Sequence, residues 1–502
     1  MSGTIPGAAQ FDGQRVAVFG LGISGRAAIA ALLEHTHTTV SAWDARSEAV
    51  APYQKDARIE RAYSHPEAAM LVDHLLAWNP DLVVITPALR ERGTEWAALR
   101  AAGVPVWSEI ELAWHLRAAR ADGSFAPWLA VTGTNGKTTT TSMLAAMLRQ
   151  AGLGKEALGN IGKAVVSAVS DTSESAPKAF ALELSSFQLF ATYSMQPLAA
   201  VCLNLAPDHL EWHESFESYR SAKAHIYHGV QAACVYPVGD TAVQAMVDEA
   251  DVCEGVRAIG VTLGIPQVGQ IGIVDGSVVD RAFHPRRQSE AYELYPLSVL
   301  AHLAPDGAQL PVHIVQDALA ATALARAAGI SGDDIRQALQ NFAPGHHRIE
   351  YVRTLAGVTY VDDSKATNPH AAQASVMANP DQSVVWIAGG QPKGVDFTQL
   401  VETISPKLRA VVVIGVDQEP LRRALADIAA PVVYISAESE QPMREAVLKA
   451  RAFAHAGDTV LLAPASASMD QFTSYAHRGE VFAAEVQALA DKKPESRGNE
   501  RQ

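Results

Sequence analysis

The sequence predicts an α/β protein of three domains, each built on a parallel sheet. Short apolar runs alternate with turns rich in Gly, Pro or Asp and then with Ala-rich helical patterns, an order typical of parallel sheets covered by helices. At 502 residues the chain is too long for one hydrophobic core. Polar breaks in the pattern place the predicted domains at 1–122, 123–344 and 345–502.

Each predicted domain has its own set of apolar runs. We predict strands at 15–19, 39–43 and 82–85, at 128–131, 179–184 and 199–203, and at 358–361, 383–388, 410–414, 431–435 and 459–462. The range 255–306 is rich in Gly, Val and Pro and has no helical periodicity. It therefore predicts a β-hairpin or inserted segment.

Composition and charge narrow the function classes. Forty basic residues against 54 acidic ones leave a formal charge of −14, which disfavours nucleic acid as a partner. Cys202, Cys234 and Cys253 form neither a C-x-x-C motif nor a disulfide framework, so a reducing compartment fits best. No apolar run reaches the roughly 18 residues of a membrane span. We expect a cytoplasmic protein without a membrane partner.

A phosphate loop is the most informative motif. The sequence VTGTNGKTT at 131–139 follows an apolar run and leads into a helix-like run at 140–150. Its glycines let backbone N–H groups turn toward an anion, Lys137 supplies positive charge, and Thr138 offers a hydroxyl to Mg²⁺. Val131 stands where the full pattern has its first glycine, so the loop is a shortened variant. The motif predicts a nucleoside triphosphate ligand, through Gly133, Thr134, Asn135, Gly136, Lys137, Thr138 and Thr139.

A second glycine motif, GLGISG at 20–25, follows the first strand, and Asp44 ends the next one. The pattern suggests a dinucleotide oxidoreductase. Close glycines at a helix N-terminus also cradle any diphosphate, including that of a UDP-sugar. NAD binding and a purely structural turn remain alternatives here.

Several side chains after the phosphate loop suit metal or substrate binding. Glu183 ends a predicted buried strand, where it is placed to hold Mg²⁺ beside the phosphates. His209 follows the next strand, and His213 lies four residues on, a spacing that leaves zinc as a minor alternative. Lys223 lies in an Ala-rich helix, and its default interpretation is an exposed lysine.

Polar loops follow three predicted strands of the third domain. The loop at 361–369 concentrates charged and hydroxyl side chains, the loop at 389–393 carries Lys393, and the loop at 465–472 carries hydroxyls. The carboxyl ends of parallel strands lie at one edge of a sheet, so these loops are expected to converge on an anion. The first loop suits a small zwitterionic or carboxylate substrate.

Together these blocks resemble the Mur ligases. GTNGKT, LELSSFQL at 182–189, N-x-x-x-D-H at 204–209, YRSAK, HR at 347–348, DDSKATN, GG-x-x-K and PASASMDQF occur in the order found in that family of ATP-dependent, amide-forming enzymes of peptidoglycan precursor synthesis. The resemblance covers about 15–490. LELSSFQL and DSKATN are characteristic of the branch that joins D-glutamate to UDP-N-acetylmuramoyl-L-alanine.

The resemblance implies a Rossmann-like N-terminal domain for the UDP-sugar, a central P-loop ATPase-type domain for ATP, and a Rossmann-like C-terminal domain for the amino acid. It implies a cytoplasmic monomer that uses ATP and two Mg²⁺ ions. Lys223 matches a lysine that is carbamoylated in this family, which replaces its default interpretation. The resemblance also implies a set of site residues for each role. The catalytic residues are Lys137, Glu183, His209 and Lys223, and the metal ligands are Thr138, Glu183, His209 and carbamoylated Lys223. ATP is contacted by the phosphate loop with Arg348 and Asp363. The UDP-substrate is contacted by Gly20, Gly22, Ile23, Ser24, Gly25, Asp44, Arg46, Asn160 and His209, and D-glutamate by Lys365, Thr367, Lys393, Ser468 and Tyr475.

The chain departs from the family pattern at 312–317, where Ile314 and Asp317 stand in place of two expected asparagines near the nucleotide. Other functions stay open at this stage. They are another ligase of the superfamily, such as folylpolyglutamate synthase or the diaminopimelate-adding enzyme, an NAD-dependent oxidoreductase, and a non-catalytic nucleotide-binding scaffold.

Overall fold

The computed structural model describes residues 4–86, 93–304, 310–343, 349–392 and 394–490. Within these ranges the chain forms three β-sheets with helices around them. It divides into two compact units, 1–301 with 312–342, and 302–311 with 343–502. The first unit holds the first two sheets and the second unit holds the third. The predicted α/β class is confirmed, whereas the three domain boundaries stay a prediction.

The first sheet is parallel and has the order β3-β2-β1-β4-β5, as in a Rossmann fold. All three predicted strands form, and the sheet has two further strands, β3 and β5, that the apolar pattern did not predict. The strands are β1 (Arg15–Phe19), β2 (Thr39–Asp44), β3 (Ile59–Ser64), β4 (Leu82–Ile85) and β5 (Val106–Ser108), and the helices are α1 (Ile23–His35), α2 (Ser47–Val50), α3 (Ala68–Ala77), α4 (Thr94–Ala101) and α5 (Glu109–His115).

The second sheet carries the phosphate loop after its strand β6. Its strands are β6 (Trp128–Thr132), β7 (Leu158–Gly159), β8 (Phe180–Glu183), β9 (Ala199–Cys202), β10 (Ala233–Pro237), β11 (Arg257–Val261), β12 (Gln270–Val274), β13 (Ser277–Asp280) and β14 (Tyr292–Pro296). Its helices are α6 (Lys137–Gln150), α7 (Val165–Val169), α8 (Ser186–Phe190), α9 (Leu210–His213), α10 (Phe216–Ala224), α11 (Thr241–Asp248), α12 (Val312–Ala327) and α13 (Gly332–Gln340).

The order of this sheet, β14-β13-β12-β11-β10-β9-β6-β8-β7, places β8 and β9 on either side of β6. The ends of these three strands therefore surround the phosphate loop. The prediction of β structure in 255–306 is confirmed by β11 to β14, and β13 runs antiparallel to both of its neighbours. Short hairpin connections permit only antiparallel pairing, so these pairs agree with the β-hairpin predicted for this segment. Helix α6 begins at Lys137, three residues before the predicted helical run.

The third sheet has the order β15-β16-β20-β17-β18-β19 and is parallel except for β15. The loops after β16, β17 and β20 leave the same edge of this sheet. Its strands are β15 (Glu350–Leu355), β16 (Val358–Asp362), β17 (Val384–Gly389), β18 (Leu408–Ile414), β19 (Val432–Tyr434) and β20 (Thr459–Leu462), and its helices are α14 (Pro369–Met377), α15 (Thr398–Ile404), α16 (Glu419–Ala424), α17 (Pro442–Phe453) and α18 (Tyr475–Gln487).

Buried apolar side chains form separate cores in the two units. In the first unit one cluster joins residues of β1 and β2 with residues of β6 and β8. In the second unit each face of the third sheet carries one cluster, because successive side chains along a strand point to opposite faces of the sheet. No helix in the described ranges is long and apolar enough to cross a membrane.

Candidate active site

The phosphate loop is held in an open turn by its own glycines. Gly133 and Gly136 have φ angles of +149° and +79°, a region that favours glycine. A side chain at Gly136 would also meet Asp317 Oδ1 at 2.3 Å. Asn204 braces the turn, since its Oδ1 accepts a hydrogen bond from the Asn135 N–H at 2.8 Å and its Nδ2 donates to the Asn135 carbonyl at 3.2 Å. Asn204 opens the N-x-x-x-D-H block, but the motif by itself did not predict this bracing role.

Lys137 lies at the start of α6 and folds over the loop. Its Nζ donates to the carbonyls of Gly133 and Thr134, at 2.9 and 2.8 Å. The positive N-terminal end of α6 adds to this charge. The loop therefore presents a lysine and a helix N-terminus together, as an anion site requires.

Glu183 and Thr138 lie side by side beneath the loop. Thr138 Oγ1 donates to Glu183 Oε2 at 2.6 Å, and Glu183, at the end of β8, is only 1% exposed. Asn160 Nδ2 donates to the other carboxylate oxygen, Oε1, at 2.8 Å. Carboxylate and hydroxyl oxygens are hard ligands of the kind that Mg²⁺ prefers, so this pair fits a magnesium ion beside bound phosphates. Among the described residues no group of three or more His, Cys, Asp or Glu side chains is placed to hold a metal ion.

Lys223 is buried beneath the same loop. It is 2% exposed, and its Nζ donates to the Gly133 carbonyl at 2.8 Å and to Thr132 Oγ1 at 3.3 Å. Burial, reinforced by the nearby Lys137 charge, lowers the pKa of Lys223 to about 7. The default interpretation of an exposed helix lysine is wrong, because α10 packs its inner face, with Tyr219 and Ala222, into the core.

His209 and His213 have different surroundings. His209 immediately precedes α9 and has a left-handed conformation, φ +54°. Its ring lies 4.8 Å from that of Phe187, and its Nε2 lies 3.7 Å from Asp208 Oδ2. A non-glycine residue held at positive φ is uncommon and concentrates at functional sites. His213 is fully buried, with its Nε2 2.9 Å from Ser186 Oγ. It is part of the core.

In the glycine motif after β1, two glycines are packed too closely for a side chain, whereas a third faces open space. A side chain at Gly20 would meet Thr86 Oγ1, and one at Gly25 would meet the Gly20 carbonyl, both at 1.9 Å. Gly22 faces open space at the N-terminus of α1, and Ile23 beside it is exposed. Ser24 lies in the first turn of the same helix. This opening is the part of the motif that a ligand can approach.

Asp44 supports that loop from the end of β2. Its Oδ2 accepts a hydrogen bond from the Leu21 N–H at 2.6 Å, and Arg46 Nε donates to its Oδ1 at 3.0 Å. Burial opposes ionisation of this carboxyl, but the bonds from Arg46 and Leu21 outweigh it and lower the pKa of Asp44. The Asp44 carboxylate is therefore anionic, and it accepts a hydrogen bond from the backbone of the glycine motif at 20–25.

The predicted D-glutamate residues that can be described lie in the loops of the third sheet and at the start of α18. The Lys365 Nζ lies 5.0 Å from the Tyr475 ring centre, and the Thr367 N–H donates to the Lys365 carbonyl at 2.8 Å. Ser468 is buried after β20. Asp363, predicted to contact ATP, accepts hydrogen bonds from Ser375 Oγ and from the Ile349 N–H. Arg348 and Lys393 lie outside the described residues.

Arg478 joins these loops and was missed by the sequence analysis. The fully buried side chain of this α18 residue donates to Ser364 Oγ and O at 2.9 and 2.8 Å, to the Gly389 carbonyl at 3.4 Å, and to the Ser466 and Ala467 carbonyls at 3.1 and 3.3 Å. One guanidinium thus ties the loops after β16, β17 and β20. Burial lowers the pKa of Arg478 to about 10, so it stays protonated at neutral pH. Nothing in the local sequence distinguishes it from a surface arginine.

Comparison with known proteins identifies the family. The chain matches the Mur ligase middle domain over 131–263 and the Mur ligase glutamate ligase domain over 347–466. It is 46% identical, over 96% of its length and 99% of the relative, to a UDP-N-acetylmuramoylalanine--D-glutamate ligase of Streptomyces coelicolor. An enzyme of the same name from Thermobifida fusca is 44% identical over 96% of the chain and 100% of the relative. The chain belongs to the Mur ligase family.

Among solved structures, the Mur ligase UDP-N-acetylmuramate-alanine ligase MurC from Thermotoga maritima aligns with 95% of the chain and 99% of its own, with a TM-score of 0.54 at 18% identity. That likeness concerns the fold, and it confirms the architecture of the Mur ligases for this chain. The resemblance seen in the sequence motifs is likewise confirmed. The roles of individual site residues stay predictions.

Proposed function

We propose that the chain is an ATP-dependent ligase that adds D-glutamate to UDP-N-acetylmuramoyl-L-alanine in peptidoglycan precursor synthesis. The observation that carries the proposal is the contact between Thr138 and Glu183 beneath the phosphate loop, because it brings together two oxygens of the kind that Mg²⁺ prefers. The two relatives of 44–46% identity, which share the D-glutamate ligase name, select the reaction within the family.

The reaction needs an activated acyl group, because a carboxylate is a poor acyl donor. Transfer of the γ-phosphoryl group of ATP to the carboxylate of the L-alanyl end gives an acyl phosphate and ADP. The D-glutamate amine then attacks the acyl carbon, loses a proton, and displaces inorganic phosphate as the amide forms. Lys137 offsets negative charge on the phosphoryl group during transfer. Bound Mg²⁺, two ions in our proposal, would neutralise charge on the phosphates.

The metal ligands we propose are Thr138, Glu183, His209 and Lys223 as its carbamate. An unmodified ammonium at Lys223 would repel a cation, whereas a carbamate offers two oxygens and a negative charge. Burial supports the modification, since a desolvated lysine is more readily neutral and therefore nucleophilic toward CO₂.

The proposal also assigns residues to the UDP-substrate, to D-glutamate and to ATP. We propose that the opening at Gly22 and Ile23, with Gly20, Ser24, Gly25, Asp44 and Arg46 around it, takes the uridine diphosphate, while Asn160 and His209 approach the muramoyl part. Lys365, Thr367, Lys393, Ser468 and Tyr475 take D-glutamate, and Arg348 and Asp363 contact ATP. Domains at 1–122, 123–344 and 345–502, a monomeric state and a cytoplasmic location belong to the same proposal.

The test is release of inorganic phosphate from ATP by the purified chain. We expect release only when Mg²⁺, UDP-N-acetylmuramoyl-L-alanine and D-glutamate are all present. Replacing D-glutamate with L-glutamate or meso-diaminopimelate is the matched control. Release that is independent of the amino acid, or faster with diaminopimelate, would contradict the proposal.

A further inference from the structure

Asn160 connects an exposed loop to the buried carboxylate of Glu183. It follows β7, and its backbone N–H donates to the Glu183 carbonyl at 2.8 Å while its Nδ2 donates to Glu183 Oε1 at 2.8 Å. The other carboxylate oxygen accepts the Thr138 hydroxyl at 2.6 Å. Each oxygen of Glu183 therefore has one donor, one from the start of α6 and the other from the loop after β7.

Glycine makes the close approach of this loop possible. Gly159, the residue before Asn160, has φ +105°, and a side chain there would lie 2.4 Å from the Glu183 carbonyl. The backbone of the loop thus lies directly against the end of β8. Glu183 is buried, whereas Asn160 is exposed. The amide is the outer end of a hydrogen-bonded chain that runs from the protein surface through Glu183 to the phosphate loop.

We propose that Asn160 is a positioning residue for the divalent cation, acting through Glu183. Its amide fixes the plane of the carboxylate, so that the remaining lone pairs face Thr138 and the phosphate loop. This inference rests on the proposed function, in which Glu183 is a metal ligand. It extends the substrate contact expected of Asn160, because the same amide would set the affinity for the metal. Hydrogen bonds to a metal ligand commonly change metal affinity by about 10- to 100-fold.

The experiment measures Mn²⁺ binding to the full chain in the presence of ADP by isothermal titration calorimetry. Asn160→Ala and Asn160→Ser both remove the amide donor. Lys163→Ala is the matched control, since Lys163 lies in the same loop and its exposed side chain pairs with Glu156. We expect the Kd for Mn²⁺ to rise by about 10- to 100-fold in both Asn160 variants and to stay within twofold of wild type in the control.

Two results would overturn the inference. The first is a Kd for Mn²⁺ within twofold of wild type in the Asn160 variants, even if the KM for the UDP-substrate rises, because Asn160 would then be a substrate contact only. The second is an equal rise in the control. If Asn160→Ala does not fold, as judged by its circular dichroism melt, the Ser variant decides. The readout needs no turnover, so a chain that fails the phosphate-release test but shows the Mn²⁺ shift would refute the proposed reaction and leave the role of Asn160 standing.

Discussion

Two buried or half-buried lysines share one backbone oxygen in the phosphate loop. Lys137 and Lys223 both donate to the Gly133 carbonyl, at 2.9 and 2.8 Å. Two ammonium groups this close repel each other, and the Lys137 charge contributes to the lowered pKa of Lys223. A triphosphate paired with Lys137 would relieve this repulsion, and the proposed carbamoylation would relieve it by changing the sign of the charge at Lys223.

The charge of Lys137 can be tested by its removal. Lys137→Ala should lower kcat by on the order of 100-fold or more, because its attraction to the phosphoryl group grows as charge develops in the transition state. Steady-state phosphate release measures the effect, and Lys155→Ala, on the exposed turn after α6, is the control. Activity within threefold of wild type would refute the assignment.

Carbamoylation of Lys223 predicts chemical rescue. Lys223→Ala should lose most activity, and small carboxylates or bicarbonate that enter the vacated space should restore part of it. Lys223→Arg should not be rescued, because a guanidinium keeps a fixed positive charge in that space. Turnover rates with and without added formate or acetate decide the matter. Wild-type turnover in Lys223→Arg would contradict the prediction.

At the scale of elements, a buried carboxyl holds two helices of the first unit together. Glu109 begins α5, and its Oε1 accepts a hydrogen bond from the Val166 N–H of α7 at 2.6 Å, while its Oε2 has no hydrogen-bond partner among the described residues. Burial raises the pKa of Glu109 to about 7, although the bonds from the Val166 and Val165 backbone lower it in part. The folded state therefore holds a proton that the unfolded chain releases near pH 4.5.

This carboxyl predicts a pH-dependent stability difference. Its stabilising contribution is fully present below about pH 4.5 and is lost as the pH rises to about 7. Glu109→Gln removes the titrating group, so the variant does not lose this contribution as the pH rises. The free energy of unfolding of the variant minus that of wild type should therefore increase by on the order of 3 kcal/mol between about pH 4.5 and pH 7, and then level off. Urea unfolding at pH 5 to 8 measures the difference, with the exposed Glu254→Gln as control. A difference that does not change with pH would rule out the raised pKa.

Arg478 predicts a selective effect on the amino-acid substrate. A lysine at this position keeps the charge but cannot reach the three loops at once, so Arg478→Lys leaves buried carbonyls unpaired. The KM for D-glutamate should rise by at least about 10-fold, the equivalent of one charge-assisted hydrogen bond, while the KM for the UDP-substrate stays within twofold. Arg444→Lys, on the exposed side of α17, is the control. An equal rise for all three substrates would indicate a general folding defect instead.

At the scale of the whole molecule, the second unit has what an independent domain needs. Both faces of its sheet are covered by clusters made of residues from 349–489. We therefore predict that a fragment spanning 343–490 folds by itself and melts in one cooperative transition, as followed by far- and near-ultraviolet circular dichroism. A fragment that lacks near-ultraviolet signal or melts without a transition would contradict this.

The sequence alone predicted those features of the candidate site that depend on neighbouring residues along the chain. The phosphate loop, its strand and its helix form one local unit, and the position of Glu183 at a strand end was predicted because the apolar pattern shows where that strand ends. The burial of Lys223 and the hydrogen-bond partners of Arg478 could not be predicted from the sequence. Lys223 contacts residues 90 and 91 positions earlier, and Arg478 binds Ser364 114 positions earlier. Local sequence dictates backbone geometry and the type of functional group at a position, but desolvation and charge pairing depend on which distant segments pack against it.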